Sequence, residues 1–544
     1  MTDQLTAAEA AVDVAEDLVA GAARHLAQAS AVDGRISVER LDAHQVLAYD
    51  LAHAASAIQG CRVMLEYARH GELESALARA FVADAIGDLG SKVLGREALW
   101  GVEASDLSPA LPFLEAHRSP AFLETLADDV AKHGTGPAHL SEDFDLVRDT
   151  FRRFARDKIV PVAEHVHRTN GDVPEEIIQG LAEIGGFGLS VPEEYGGFAS
   201  GGEHDYLGMV VATEELSRGS LGIGGSLITR PEILTRALVR GGTEAQKQRW
   251  LPRIASGEAM VGVMATEPDF GSDVAGVKVT ATPTEGGYLI NGVKTWATFA
   301  GRADLLMLLA RTDPDRSKGH RGLSIFVVEK EPAPGHSFAF TQEGGGTMEG
   351  RAIDTIGYRG MHSFEVAFSD WFVPAENLVG EEGGLGKGFY LQMEGFENGR
   401  LQTAARAVGL MEAAFEAGLD YARERIVFGR AVADYQLTRA KLARMATLVQ
   451  AGRQFSYEVA RKMARGEGAL EASMVKAYVC RAAEWVTREA LQIHGGMGYA
   501  EEYPVSRYFV DARVLSIFEG ADETLCLRVI ARRLAEQALE ASGG

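Results

Sequence analysis

The period of the apolar positions changes twice along the chain. Up to residue 136 it is helical: Leu47, Leu51, Ala54 and Ile58 make one stripe, and Met64 and Tyr67 continue it. This whole stretch is expected to be helix. Gly134-Thr-Gly-Pro137 then reads as a linker. The next helix has Ser141 as its cap, with Glu142 and Asp143 suiting its positive end. Phe144, Val147, Phe151 and Phe154 give it a buried face, and Pro161 is expected to end it. Helical patterning persists to about residue 260.

From there the period drops to two. Val277, Val279 and Ala281 alternate with polar neighbours, Glu285-Gly-Gly287 signals a turn, and Tyr288–Ile290 resumes an extended run before Asn291-Gly292. Leu305–Leu309 and Leu323–Val328 are further strand candidates, and long helices return from about residue 385 to near Glu540. Helices, a block of strands, then helices again predict an α+β fold with segregated elements, not alternating βαβ units. The expected domains are an N-terminal helical extension (1–136), a helical domain (137–262), a β domain (263–377) and a C-terminal helical bundle (378–544).

A weak internal repeat crosses these boundaries. Gln45 through Arg62 matches Gln436 through Arg453 at constant offset, and Arg79-Ala-Phe-Val82 resembles Lys476-Ala-Tyr-Val479. Chance likeness between two Ala-rich helices is the bland reading. The sharper one is that the extension duplicates part of the C-terminal bundle and covers a surface otherwise buried in an oligomer.

Composition narrows the function. A chain of 544 residues exceeds a single core and calls for several domains. Its formal charge of −23 argues against nonspecific nucleic-acid binding and against an anionic membrane surface. The three cysteines, Cys61, Cys480 and Cys526, form no CxxC pair, which suits a reducing compartment and suggests neither a disulfide framework nor a metal site. His165 and His167 are two apart and would not share a helix face. Gly384-Leu-Gly-Lys-Gly388 lacks the full phosphate-loop pattern. The acidic N-terminus has no apolar signal region, and no run reaches the ~20 apolar residues of a membrane span. A soluble, cytoplasmic protein is expected.

Four motifs carry chemistry: Met264-Ala-Thr-Glu-Pro-Asp-Phe-Gly-Ser-Asp273, Asn291-Gly-Val-Lys-Thr-Trp-Ala-Thr298, Gln492-Ile-His-Gly-Gly-Met-Gly-Tyr499 and Ile517-Phe-Glu-Gly520. Small and polar residues at Thr266, Gly271 and Ser272 suit a loop that approaches a planar ring and offers hydrogen bonds. Together, in order and spacing, the motifs resemble the acyl-CoA dehydrogenase family over roughly residues 139–540. The resemblance implies a noncovalently bound FAD, an acyl-CoA substrate, electron-transfer flavoprotein as redox partner, and a homodimer or homotetramer.

Carried over position by position, the resemblance implies that Thr266 hydrogen-bonds the flavin edge and that Ser272 meets flavin or pantetheine. Trp296 packs on the flavin and Thr298 hydrogen-bonds it. Arg425 and Phe428 reach the FAD of a partner subunit, and Gln492 and Gly496 hold its adenosine half. Val427 stands where the family often has a hydroxyl, and Ala521 and Glu523 depart from a common FAD-binding pattern. Glu397 and Arg400 contact the CoA moiety, and Gly520 lets a loop turn beneath the ligand. Glu519 matches the catalytic base. An acyl thioester's α-carbon is a weak acid, and its deprotonation needs a desolvated carboxylate in contact. Gly399, at the family's alternative base position, has no group to do this.

The length, the extension and an insertion near Ser337–Thr355 resemble members that oxidise (2S)-methylsuccinyl-CoA to mesaconyl-CoA. Such a substrate's second carboxylate wants a cationic partner, for which Arg230 and the Arg359-Gly-Met-His362 segment are candidates. An enzyme for another short or branched acyl-CoA and an acyl-CoA oxidase are the near alternatives. A non-catalytic, nucleic-acid-associated relative is the distant one, and the net charge and Glu519 weigh against it.

Overall fold

In the computed structural model, which describes residues 2–542, the period-two stretch forms an eight-stranded sheet. Its strands are β1 (Val261–Met264), β2 (Thr280–Thr284), β3 (Gly287–Thr298), β4 (Leu305–Arg311), β5 (Leu323–Glu329), β6 (Ser337–Thr341), β7 (Thr347–Ile353) and β8 (Ser363–Pro374). Their order is β1-β4-β2-β3-β8-β7-β6, with β5 also paired to β4. β1 runs parallel to β4, β2 meets β4 only at Thr280 and Arg311, and the other pairs are antiparallel.

The near-continuous apolar run of β4 marks a strand covered on both faces. Leu305, Met307 and Leu309 pack with Leu234, Leu238, Trp250 and Ile254 in one core. Leu306, Leu308 and Ala310 pack with Phe326, Phe364 and Trp371 in another. Arg311 ends the strand, its guanidinium donating to the carbonyls of Val277, Gly319 and Ala275 at 3.1, 3.2 and 3.0 Å.

The chain divides into two compact units, Met1–Ser141 with Thr403–Gly544, and Glu142–Gln402. The second unit holds the sheet. Its first helix, Glu142–Phe154, buries Phe144, Phe151 and Phe154. Pro161 does not stop it. A π turn over Ala155–Ile159 leads into a further helical segment, Val160–Thr169, ended by left-handed Asn170 at φ 52°. The widened turn restarts the hydrogen-bond register, so the proline falls in a first turn, where its missing N–H is not needed.

In the first unit, the helix Thr2–Ser30 is followed by a small hairpin, Ala31–Val32 with Arg35–Ile36. The hairpin corrects the expectation of unbroken helix. Asp33 and Gly34 turn it with φ of 49° and 74°, the backbone that an Asp-Gly pair favours. Two helical hairpins follow, α1 (Gln45–Tyr67) with α2 (Glu72–Val93), and α3 (Gln436–Ala464) with α4 (Ala469–His494). They cross-pack, α1 on α4 and α2 on α3, as two copies related by a twofold axis would. The repeat-equivalent Phe81 and Tyr478 meet each other edge to face, ring centroids 5.7 Å apart. A position contacting its own counterpart is the mark of an isologous interface. The linker is tied down here as well: Tyr67 Oη and Gln450 Nε2 both donate to Pro137 O at 2.9 Å.

Candidate active site

In the sheet-bearing unit, the loop after β1 is framed by one buried ion pair. Glu267 accepts from the backbone N–H of Lys278 and Val279 at 2.6 and 2.8 Å and from Lys294 Nζ at 2.8 Å. Lys294, inside β3 and wholly buried, also donates to Ala265 O at 2.9 Å. Burial lowers its ammonium to about 8, against the pull of Glu267. Thr295 N donates to Thr266 O at 2.9 Å, which holds Thr266 beside β3. Gly271 and Ser272 are exposed on the same loop.

β3 carries a bulge there. Phe364 faces Ala297 and Val366 faces Lys294, so Thr295 and Trp296 together oppose Glu365. Trp296 takes φ 57°, a costly backbone for a bulky residue, and its side chain is 54% exposed. Trp296 is thus not a core residue. Thr298 is buried, its hydroxyl 3.0 Å from Ser363 Oγ.

Arg230 is buried in the first turn of the helix Thr229–Gly241, not a surface charge. Arg359 donates from Nε to Thr355 O and from Nη1 to His167 O at 3.0 and 2.9 Å, two bonds that fasten its loop. Glu397 and Arg400 lie three apart on the helix Gly388–Glu424. Burial raises the Glu397 carboxyl above its usual range, and Arg400 opposes the shift. Gln392, Asn398 and Gln402 on this helix are buried with no hydrogen-bond partner for either side-chain polar atom among the described residues. Each such group costs about 1–3 kcal/mol unless a ligand or water satisfies it. Sequence reading passed over these amides.

In the other unit, the helix Val505–Leu515 leads into a loop closed by Asp522 N donating to Ser516 O at 3.0 Å. Glu519 sits in this loop at φ 55° and Gly520 follows at φ 97°. The φ of 97° favours glycine at position 520, and a Cβ there would also press on Leu525 Cδ2 at 2.9 Å. Lys476 Nζ, fully buried, donates to Gly520 O. The Glu519 carboxylate is 3% exposed and lies 4.0 Å from Nη1 of Arg406, which is also fully buried. Arg406 Nη1 donates to Thr403 Oγ1 at 3.2 Å, and the guanidinium lies over Phe518 at 5.3 Å. Arg406 is the chief residue missed from sequence. Its signal was a lone charge in the buried run Leu401–Leu410.

The remaining candidates of this unit point outward. Ile426–Val427 and Arg430–Ala431 form a two-residue hairpin turned by Phe428 (φ 49°) and Gly429 (φ 84°). Phe428 is 96% exposed and Arg425 is exposed too. Gln492 and Gly496 are exposed where α4 ends, and Glu523 is exposed just after Ala521.

In one unit a bulge displays a tryptophan from a strand, and in the other a desolvated carboxylate sits on a left-handed turn. Residues 141–258, 262–371 and 386–535 match the N-terminal, middle and C-terminal domains of acyl-CoA dehydrogenase. The chain belongs to the acyl-CoA dehydrogenase family and is an FAD-dependent enzyme of that class. It is 38% identical to (2S)-methylsuccinyl-CoA dehydrogenase of Cereibacter sphaeroides over 98% of both chains. Among solved structures, butyryl-CoA dehydrogenase of Megasphaera elsdenii superposes with TM-score 0.65 at 32% identity, covering 72% of this chain and 98% of its own. A chain of the Acidaminococcus fermentans electron transferring flavoprotein structure does so with TM-score 0.65 at 31% identity, covering 73% and 98%. The fold, family and enzyme class implied by the four motifs therefore stand. Among the described residues, no helix is long and apolar enough to cross a membrane.

Proposed function

We propose that this enzyme oxidises (2S)-methylsuccinyl-CoA to mesaconyl-CoA, with Glu519 as the base. The observation that carries the reading is a carboxylate at 3% exposure, held at φ 55° on a loop fastened through Gly520. Out of water, a carboxylate in contact with the α-carbon is a far stronger base toward it. Glu519 takes the α-proton, the electrons of that C–H bond form the new C=C, and the β-hydrogen leaves with its electron pair. Bound FAD supplies the hydride acceptor.

The substrate's second carboxylate would be buried and needs a cationic partner. Arg230, a buried guanidinium group, is assigned to it. The full-length relation to the Cereibacter enzyme supports the substrate. Thr266, Gly271, Ser272, Trp296 and Thr298 are assigned to the flavin, with Ala521 and Glu523 beside them in role. Ser272, Glu397, Arg400 and Gly520 are assigned to the acyl-CoA. Arg425, Phe428, Gln492 and Gly496 are assigned to a partner subunit's FAD, for which their exposure suits them. That assignment requires at least a dimer. Electron-transfer flavoprotein is the proposed acceptor, supported by the likeness to a chain from that protein's structure.

The test is anaerobic mixing of oxidised enzyme with a panel of acyl-CoAs while flavin bleaching is followed. Fast bleaching by methylsuccinyl-CoA, lost in Glu519→Gln with flavin content retained, is expected. Bleaching only by unsubstituted or simple branched acyl-CoAs discards the substrate.

A further inference from the structure

Asp522 follows Glu519 by three residues, and its side chain is gripped by the N-terminal extension. Tyr49 Oη donates to Asp522 Oδ2 at 2.5 Å and His53 Nε2 donates to the same oxygen at 3.1 Å. Both donors lie on α1, one turn apart. Cys526 completes the cluster from a π turn over Leu525–Ile530, with Sγ 3.4 Å from His53 Nε2 and 3.9 Å from Asp522 Oδ1. Arg481 lies over the Tyr49 ring at 6.0 Å. His53, Asp522 and Cys526 are all buried.

Three such groups at these separations invite a metal ion, but the hydrogen bonds argue otherwise. One carboxylate oxygen already takes two donors, Tyr49 Oη and His53 Nε2. Burial would raise the Asp522 carboxyl, yet the His53 and Tyr49 hydrogen bonds outweigh this and hold it below 3.8. The cluster is a charged hydrogen-bond network, and such bonds hold geometry tightly.

What it holds is the active loop. The backbone of Asp522 closes the Ser516–Asp522 turn, while its side chain fixes that closure to α1. Ser516 Oγ donates to Glu484 Oε1 at 2.5 Å and Lys476 holds Gly520, so the turn is pinned at both ends and in the middle. Left-handed Glu519 persists because its surroundings over-determine it. We infer that Asp522 is a positioning residue through which Tyr49 and His53 of the N-terminal extension set the geometry of Glu519. This rests on the reading of Glu519 as the base. The extension, on this account, is a working part of the catalytic centre as well as a cover for the bundle.

The test compares intact holoenzyme with Tyr49→Phe, His53→Leu, the double variant, Asp522→Ala and Asp522→Asn. Anaerobic flavin reduction by methylsuccinyl-CoA should slow on the order of 10- to 100-fold in the double variant and in Asp522→Ala. The thioester concentration for half-saturation should stay within about threefold, because a misplaced group near the chemistry costs rate before binding. Asp522→Asn, which still accepts a hydrogen bond, should recover part of the rate. Hydrogen exchange of the peptide spanning 516–522 should quicken in the same variants, and this readout stands whether or not Glu519 is the base. Unchanged exchange and unchanged reduction rate in the double variant would overturn the inference. So would one equivalent of zinc per chain in the purified protein, lost in Cys526→Ser. Retained bleaching in Glu519→Gln alongside quickened exchange would instead sink the base assignment and leave Asp522 as a fastener of the loop only.

Discussion

Arg406 Nη1 lies 4.0 Å from Glu519 Oε1, with both side chains cut off from solvent. The guanidinium comes from the long helix Gly388–Glu424 and the carboxylate from a loop near the C-terminus, so the pair ties distant stretches of chain within one unit.

Replacing Arg406 with Leu should leave the carboxylate without this buried cation, a change that costs about 3–5 kcal/mol in comparable pairs. If Arg406 also serves the substrate's second carboxylate, reduction by methylsuccinyl-CoA should fall further than reduction by butyryl-CoA. Stopped-flow rates with the two thioesters check this. Equal losses would confine Arg406 to the base.

Lys294→Met should destabilise the sheet-bearing unit by about 3 kcal/mol or more, because Glu267 would keep its charge in the interior with only backbone donors. Adding Glu267→Gln should recover part of the loss. Denaturant midpoints of the single and double variants measure it. A surface-like loss below about 1 kcal/mol in the single variant would contradict the framing role given to the pair.

Two buried histidines should make the fold lose stability in mild acid. Burial holds His362 and His494 below the ordinary value of 6.5. Between that value and their lower folded values, the unfolded chain binds more protons than the native one, so stability falls as pH drops through 6.5 and levels off below the folded values. The contribution of Asp522, whose carboxyl is lowered from 3.8, survives through this window and is lost only in stronger acid. Thermal midpoints from pH 7.5 to 5 should therefore decline, and His362→Gln should flatten the decline.

Phe81 against Tyr478 makes an oligomeric prediction. If the extension covers a face otherwise buried in an oligomer, that face is the one of α3 and α4 on which α1 and α2 pack. Light scattering of the holoenzyme should then give a particle of two subunits. A four-subunit particle would show that the extension does not fill that face.

The sequence displayed what depends on local pattern. The apolar run of β4 announced a strand buried on both sides, and Phe144, Phe151 and Phe154 announced a helix face. The motif at Asn291–Thr298 pointed to Trp296, but not to the bulge that turns it outward, because a bulge is a property of two strands and one register. Arg406 was hidden for the same reason: its partner Glu519 is supplied by a loop far along the chain. Pro161 misled because a π turn just upstream resets the register, and neither residue type nor spacing marks such turns. Asp33-Gly34 was a legible turn signal that the surrounding helical pattern masked.

The pseudo-twofold contact of Phe81 with Tyr478 also changes how this packing responds to dilution. When two separate chains supply such a face, its occupancy follows their concentration. Here both halves are covalently joined, so each hairpin sees the other at an effective concentration of the order of millimolar or above, whatever the protein level in the cell. A contact that would otherwise be governed by mass action becomes a fixed property of each polypeptide.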